Sequence, residues 1–203
     1  MAKRPKRKPM LFDQDKIILD LCGGTGAWSK PYKDAGYDVH LITSPDHDVT
    51  DYIPPENVYG ILAAPPCTEF SRALNYHIAV YDRKRDFIKG MIPVNACARV
   101  ILFCNPVFWV LENPAGSLSK FLGSPKYTFH PWEFGDPYTK LTCLWGNFNP
   151  PIKKYNNREA VMTPGQIILC KENRKPQDCG ADKRVKRAIT PAGFAKAFFE
   201  SNR

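Results

Sequence analysis

Apolar positions along the chain fall into short continuous runs separated by stretches rich in glycine and proline. Residues 16–21, KIILDL, form the first run, and CGGTGAWSKPYKDAGY follows at once. An isoleucine-rich run of this length, closed by glycine, predicts a buried strand, then a tight turn, then a helix. YDVHLIT (37–43) and VYGILAA (58–64) predict two more strands. VNACARVILFC (94–104) predicts a buried helix stopped by Asn105-Pro106, and VFWVLEN (107–113) a strand ending in a carboxylate. Strands that alternate with helices predict a parallel sheet covered on both faces. Residues 114–165 are rich in Pro, Gly and aromatics with little regular pattern, and QIILC (166–170) predicts one more strand. The chain closes on ITPAGFAKAFFESN. There Thr190 suits the N-cap and Pro191 the first helical position. Phe194 and Phe198 then share a face, as do Ala195 and Phe199.

Length and charge narrow this picture. A chain of 203 residues suits one domain with a small appendage. Its formal net charge is +9, and five basic residues lie in the opening MAKRPKRKP. Removing those five leaves 24 basic residues against 20 acidic, so the body is mildly basic and the arm strongly so. Such an arm predicts affinity for a polyanion, because each lysine or arginine neutralises a phosphate and releases counterions. No apolar run approaches the ~20 residues of a membrane span, and no apolar segment follows the basic start as in a secretory signal. The seven cysteines are odd in number and scattered, which predicts free thiols in a reducing, cytoplasmic setting. Cys143, Cys170 and Cys179 lack the paired C-x-x-C spacing of a zinc site, so no metal is expected.

Three positions carry candidate chemistry. Asp20-Leu21-Cys22-Gly23-Gly24-Thr25-Gly26 follows the first strand. Glycines there admit a ligand close to the backbone, and a helix N-terminus favours negative charge. The pattern is neither G-x-G-x-x-G nor a P-loop, so a nucleotide-like ligand without a pyrophosphate fits better. S-adenosylmethionine is one such ligand. Cys67 follows Pro65-Pro66 at the end of the third strand, and Glu112 ends the fourth. Ligands of open α/β sheets bind beyond the carboxyl ends of the strands, so Asp20, Cys67 and Glu112 are expected at one rim. A thiol near a glutamate there predicts covalent catalysis with acid assistance. The two prolines end the strand without wasting an N–H and hold the thiol in a defined place.

DLCGGTGAW, PPCTEFS and ENP, in this order, resemble motifs of the DNA cytosine-5 methyltransferases, most closely the short phage-type members. ITPAGFAKAFFESN resembles the last helix of that family, which packs beside the first motif. The match covers most of the chain but not residues 150–185. It implies a Rossmann-like, S-adenosylmethionine-dependent methyltransferase fold: an α/β architecture with a mostly parallel sheet, helices on both faces and a reduced target-recognition region. It divides the chain into a basic arm (1–12), a catalytic core (13–150), a small basic target-recognition segment (151–186) and a returning C-terminal helix (187–203). Cys67 would be the nucleophile at cytosine C6, and Glu112 would hold N3 and the exocyclic amine of a flipped base. The cofactor residues implied are Asp20, Leu21, Cys22, Gly23, Gly24, Thr25, Gly26, Trp28, Asp48, Val49, Pro65, Thr190 and Phe194. DNA would be the partner, bound through Ser71, Arg72, Arg83, Lys84, Arg85, Lys153 and Lys154. The protein is expected to act as a monomer in the cytoplasm, that of a bacterial host if phage-encoded, and away from membranes.

Two departures stand out. The family's acid for the ribose is replaced by Thr43 and Ser44 in LITSPDHD, with Asp46 nearby as a substitute. The family's arginine near the target base has as its nearest equivalents Lys140 and Thr142 in YTKLTCLWG, the remaining two candidate catalytic residues. A lysine is a point charge and cannot make a bidentate arginine contact. Two alternatives therefore stay open: the same chemistry on RNA, a nucleotide or with a modified donor, and a nucleic-acid-binding protein that kept the fold without turnover.

Overall fold

The computed structural model describes residues 13–72, 84–166 and 188–203. The order is β1 (Ile17–Leu21), α1 (Lys30–Asp34), β2 (Asp38–Ile42), β3 (Val58–Ala63), α2 (Phe87–Cys104), β4 (Phe108–Pro114), α3 (Ser119–Leu122), β5 (Tyr127–Phe129), β6 (Thr142–Asn147) and α4 (Ala192–Ser201). Short 3-10 turns lie at Asp13–Asp15, Pro131–Phe134 and Arg158–Ala160.

The six strands form one sheet in the order β2-β1-β3-β4-β6-β5. β1 pairs in parallel with β2 and β3, and β3 with β4. β6 then runs antiparallel to β4, and β5 antiparallel to β6. The sheet is thus mixed, and the expectation of a mostly parallel sheet holds only for its first four strands. β6 went unseen in sequence because both of its faces are buried, which erases the alternation that marks a strand.

Side chains of successive strand residues alternate between two cores. Leu19, Leu21, Ile61, Ala63 and Leu111 point to the face covered by α2, through its Val94, Cys97, Val100 and Ile101. Ile18, Leu62, Val110 and Leu144 point to the face covered by α1 and α4, through Tyr32, Phe194, Ala195 and Phe198. Helices on both faces were expected, and each fully buried aliphatic or aromatic side chain contributes about 1.5–3 kcal/mol.

Three element boundaries differ from expectation. α2 begins seven residues before the predicted start, capped by Asp86, whose side chain accepts from Lys89 N–H at 2.9 Å. Pro93 inside it disguised the helix, since proline has no N–H to give the carbonyl four residues back. Its end is as predicted, with Asn105 in the left-handed region donating its N–H to the Ile101 carbonyl. At 18 residues α2 is also long and apolar enough to cross a membrane by length and composition, although its Val94, Cys97 and Val100 pack on the sheet. α1 is only five residues long and starts at Lys30, so the glycine turn does not open directly into a helix. α4 begins at Ala192 with Pro191 at its N-cap, not Thr190. The cap comes from a distant residue: Asp136 Oδ2 accepts from Gly193 N–H at 3.1 Å. Residues 167–170 of the predicted strand QIILC lie outside the described residues, as do the basic arm, Arg83 and residues 171–187.

Candidate functional site

β1 is the point where the sheet order reverses, with β2 on one side and β3 on the other. Open sheets bind ligands just outside such a reversal, at the carboxyl ends of the strands. A cavity of about 560 Å³ lies there, lined by Cys22 after β1, Ile42, Thr43 and Ser44 after β2, and Pro66 and Thr68 after β3. Asp48, Val49 and the Lys89–Pro93 turn of α2 complete it.

The turn after β1 is folded around Asp20. Asp20 is fully buried, and its Oδ2 accepts from Ser29 Oγ at 2.6 Å while Oδ1 has no partner. Burial pushes this carboxyl up to about 6, with the Ser29 hydrogen bond opposing it. Gly23 is required here, because a Cβ would collide with the Asp20 carboxylate. Cys22 takes a left-handed conformation (φ 59°), and its N–H donates to the Ile42 carbonyl at 2.7 Å. The Cys97 thiol donates to Cys22, which lowers Cys22 and raises Cys97. Asp48 is exposed at the cavity rim, and the Thr50 N–H and hydroxyl, both 2.8 Å from its Oδ1, hold it below the usual carboxylate range. Size, the reversal point and a mixed polar and apolar lining fit a nucleoside-like ligand such as S-adenosylmethionine.

The second half of the site lies between β3 and β4. Pro65 is buried, and its carbonyl accepts from the Asn113 side-chain amide at 2.9 Å. The asparagine of Glu-Asn-Pro therefore clamps the turn that carries Cys67. The loop after Cys67 is secured further: Ser117 N–H donates to the Phe70 carbonyl at 2.8 Å, and Ser71 bridges Gly116. A Cβ on Gly116 would strike the Phe70 carbonyl, so only glycine permits this approach. Arg85 donates to the carbonyls of Glu69 (2.6 Å) and Ser71 (3.2 Å), and Asp86 N–H to the Glu69 carboxylate (3.0 Å).

Because β6 is antiparallel, its leading end arrives at the same rim as the trailing end of β4. Pro114 pairs with Thr142, and Lys140 just before β6 brings Nζ to 3.4 Å from Glu112 Oε1. Both side chains are mostly buried, at 19% and 17% exposure. The Cys67 thiol is pushed up, chiefly by burial and then by the Glu112 carboxylate, while the Lys140 ammonium pulls it down. Thr142 is buried, and its hydroxyl donates to the Lys140 carbonyl at 3.1 Å, so it braces the turn that carries Lys140.

Other expected site residues lie elsewhere. Trp28 and Phe194 are buried in one aromatic cluster with Phe198, on the opposite face of the sheet from α2. Thr190 is partly buried beside Pro191. Of the expected cofactor residues only Cys22, Asp48 and Val49 line the cavity; Asp20, Leu21, Gly23, Gly24, Thr25, Gly26, Trp28, Pro65, Thr190 and Phe194 do not. Lys153 pairs with Glu133 at 2.7 Å and sits over the Tyr127 ring, and Lys154 sits over the Tyr155 ring. Arg72 and Lys84 are exposed. No group of metal-ligating side chains occurs among the described residues. Sequence reasoning missed the Asn113 clamp and the bracing by Arg85. The order Pro-Pro-Cys then Glu-Asn held the only hint of the first, and nothing local signals the second.

No family model and no curated protein matches the chain. Among solved structures it is similar to a candidate DNA modification methyltransferase encoded within an E. coli prophage, at 16% identity and a TM-score of 0.45. The likeness covers 65% of this chain and 46% of that one, so the chain spans less than half of the structure it matches.

Proposed function

We propose that the protein is an S-adenosylmethionine-dependent methyltransferase that modifies cytosine C5 in DNA through a covalent Cys67 adduct. One observation carries this: the Cys67 thiol, the Glu112 carboxylate and the Lys140 ammonium act on one another at a single rim, with Asn113 bound to Pro65 between them. The motif resemblance supports the same reading. The cofactor would lie along Cys22–Gly26 and against Asp48 and Val49, and when bound it supplies a methyl group on a sulfonium. The basic arm, Arg72 and Lys84 would meet DNA phosphates, with residues 151–186 as the target-recognition segment.

Cytosine C5 is a poor nucleophile until a bond forms at C6. Cys67 Sγ adds there from the face of the ring, which requires the base to leave the stack. Glu112 holds N3 and the exocyclic amine and stabilises the proton that reaches N3. Lys140 offsets the carboxylate's charge so that a thiolate forms beside it. The clamp through Asn113 fixes the attack geometry. Once C5 holds the methyl group that the bound donor would supply, the donor leaving as a neutral thioether, loss of the C5 proton to a base expels the thiolate and restores the ring.

A second reading is a DNA-binding protein without turnover. The raised thiol favours it, because a nucleophilic cysteine ordinarily has a lowered pKa. Incubation with labelled S-adenosylmethionine and DNA carrying 5-fluorocytosine separates the two. The expected result is a denaturation-resistant protein–DNA complex that needs cofactor and is lost in Cys67→Ala. Intact cofactor binding with no adduct and no label on any DNA overturns the enzyme in favour of the second reading.

A further inference from the structure

We propose that the polar hollow between residues 130–139 and 156–159 is a nucleobase-reading pocket that takes a base flanking the target cytosine. It rests on DNA being the substrate. The hollow measures about 760 Å³ and is lined by His130, Trp132, Thr139, Asn156 and Asn157, with Arg158 and Glu159 at its end. One of its polar atoms, Thr139 Oγ1, is buried and has no protein partner, while the His130 side chain faces the Glu133 N–H in a capping box. Native proteins pair nearly all such atoms, so the Thr139 hydroxyl points to a ligand that brings its own donor or acceptor into the hollow. Burial lowers the His130 ring below the usual imidazole value, so at neutral pH it presents one donor and one acceptor.

The chemistry selects a base. The Trp132 indole lies nearly parallel to the His130 ring, at 16° and 6.3 Å between centroids, and presents a flat aromatic surface. Asn156 adds an amide with a donor and an acceptor side by side, which matches the adjacent groups on a purine edge. A neutral imidazole and the Glu159 carboxylate make a poor phosphate site. The walls are braced before any ligand arrives. Glu133 accepts from His130 N–H at 2.6 Å, and its carbonyl accepts from Lys154 and Tyr155 N–H at 2.9 and 3.0 Å. Asn157 accepts from Glu159 N–H at 2.9 Å. The hollow also adjoins the reactive rim, since Thr139 precedes Lys140, which pairs with Glu112.

The test is a selection on the full chain. Wild type, Thr139→Val and His130→Phe are equilibrated with duplexes randomised around one cytosine, and the bound fraction is sequenced. Methyl transfer is read on the same library. Wild type is expected to enrich one base at one flanking position by about tenfold. Both variants, with far-UV circular dichroism unchanged, are expected to lose most of that enrichment while still selecting the cytosine. Flanking enrichment that is equal in wild type and both variants, or absent in wild type, overturns the pocket. If a variant misfolds, Asn156→Ala on the exposed wall serves in its place with the same two outcomes. Enrichment that depends on Thr139 without any methyl transfer overturns the proposed catalysis and leaves the pocket standing.

Discussion

Cys67 is governed by four unequal influences: burial and then Glu112 raise its thiol, while Lys140 and a backbone hydrogen bond lower it. Its alkylation by iodoacetamide should therefore rise with pH about a midpoint above 9.0, the ordinary value, when followed peptide by peptide in a mass spectrometer. Lys140→Gln removes the favourable charge of Lys140 and should slow alkylation several-fold at neutral pH, whereas Glu112→Gln should speed it. Equal rates in all three proteins would disprove the coupling. The placement of Cys67 and Glu112 at one rim was legible in sequence because each stands at the end of an apolar run. The role of Asn113 was not. A side-chain amide bound to a carbonyl 48 positions away leaves no trace in local pattern.

At the scale of elements, α4 shows how a helix terminus can depend on another part of the chain. The pair Thr190-Pro191 has the local signature of a capped start, yet the cap is Asp136, which bonds the Gly193 N–H from 57 residues away. Asp136→Ala should lower stability by about 1 kcal/mol, seen as a fall of a few degrees in Tm, whereas Thr190→Ala should cost less. The reverse order would restore Thr190 as the cap. β1, β2, β3 and β4 were visible as isoleucine-, valine- and leucine-rich runs bounded by turns. β6 was not, because a short strand buried on both faces has no period to detect. Its direction matters most for chemistry, since only an antiparallel strand delivers its leading residue, Lys140, to the rim where β3 and β4 end.

For the whole molecule, the buried carboxyl of Asp20 links the core to pH. Its value rises from 3.8 to about 6 on folding, chiefly through burial. The folded state therefore binds the proton more tightly than the unfolded state, and this group favours folding at low pH. Its contribution falls as pH rises from about 4 to about 6, a change of about 3 kcal/mol at most. Asp20→Asn should gain stability relative to wild type across that window, in urea titrations at pH 4, 5, 6 and 7. A constant difference at all four would exclude the linkage. By itself the sequence determined the first four strands, the rim where their carboxyl ends meet and the thiol that stands there, because apolar runs, glycine turns and prolines act locally. Only the tertiary structure decided the mixed sheet, the Lys140–Glu112 pair, the Asn113 clamp, the distant cap on α4 and the second hollow. Each of these joins residues far apart in sequence, and such contacts exist only once the chain has packed.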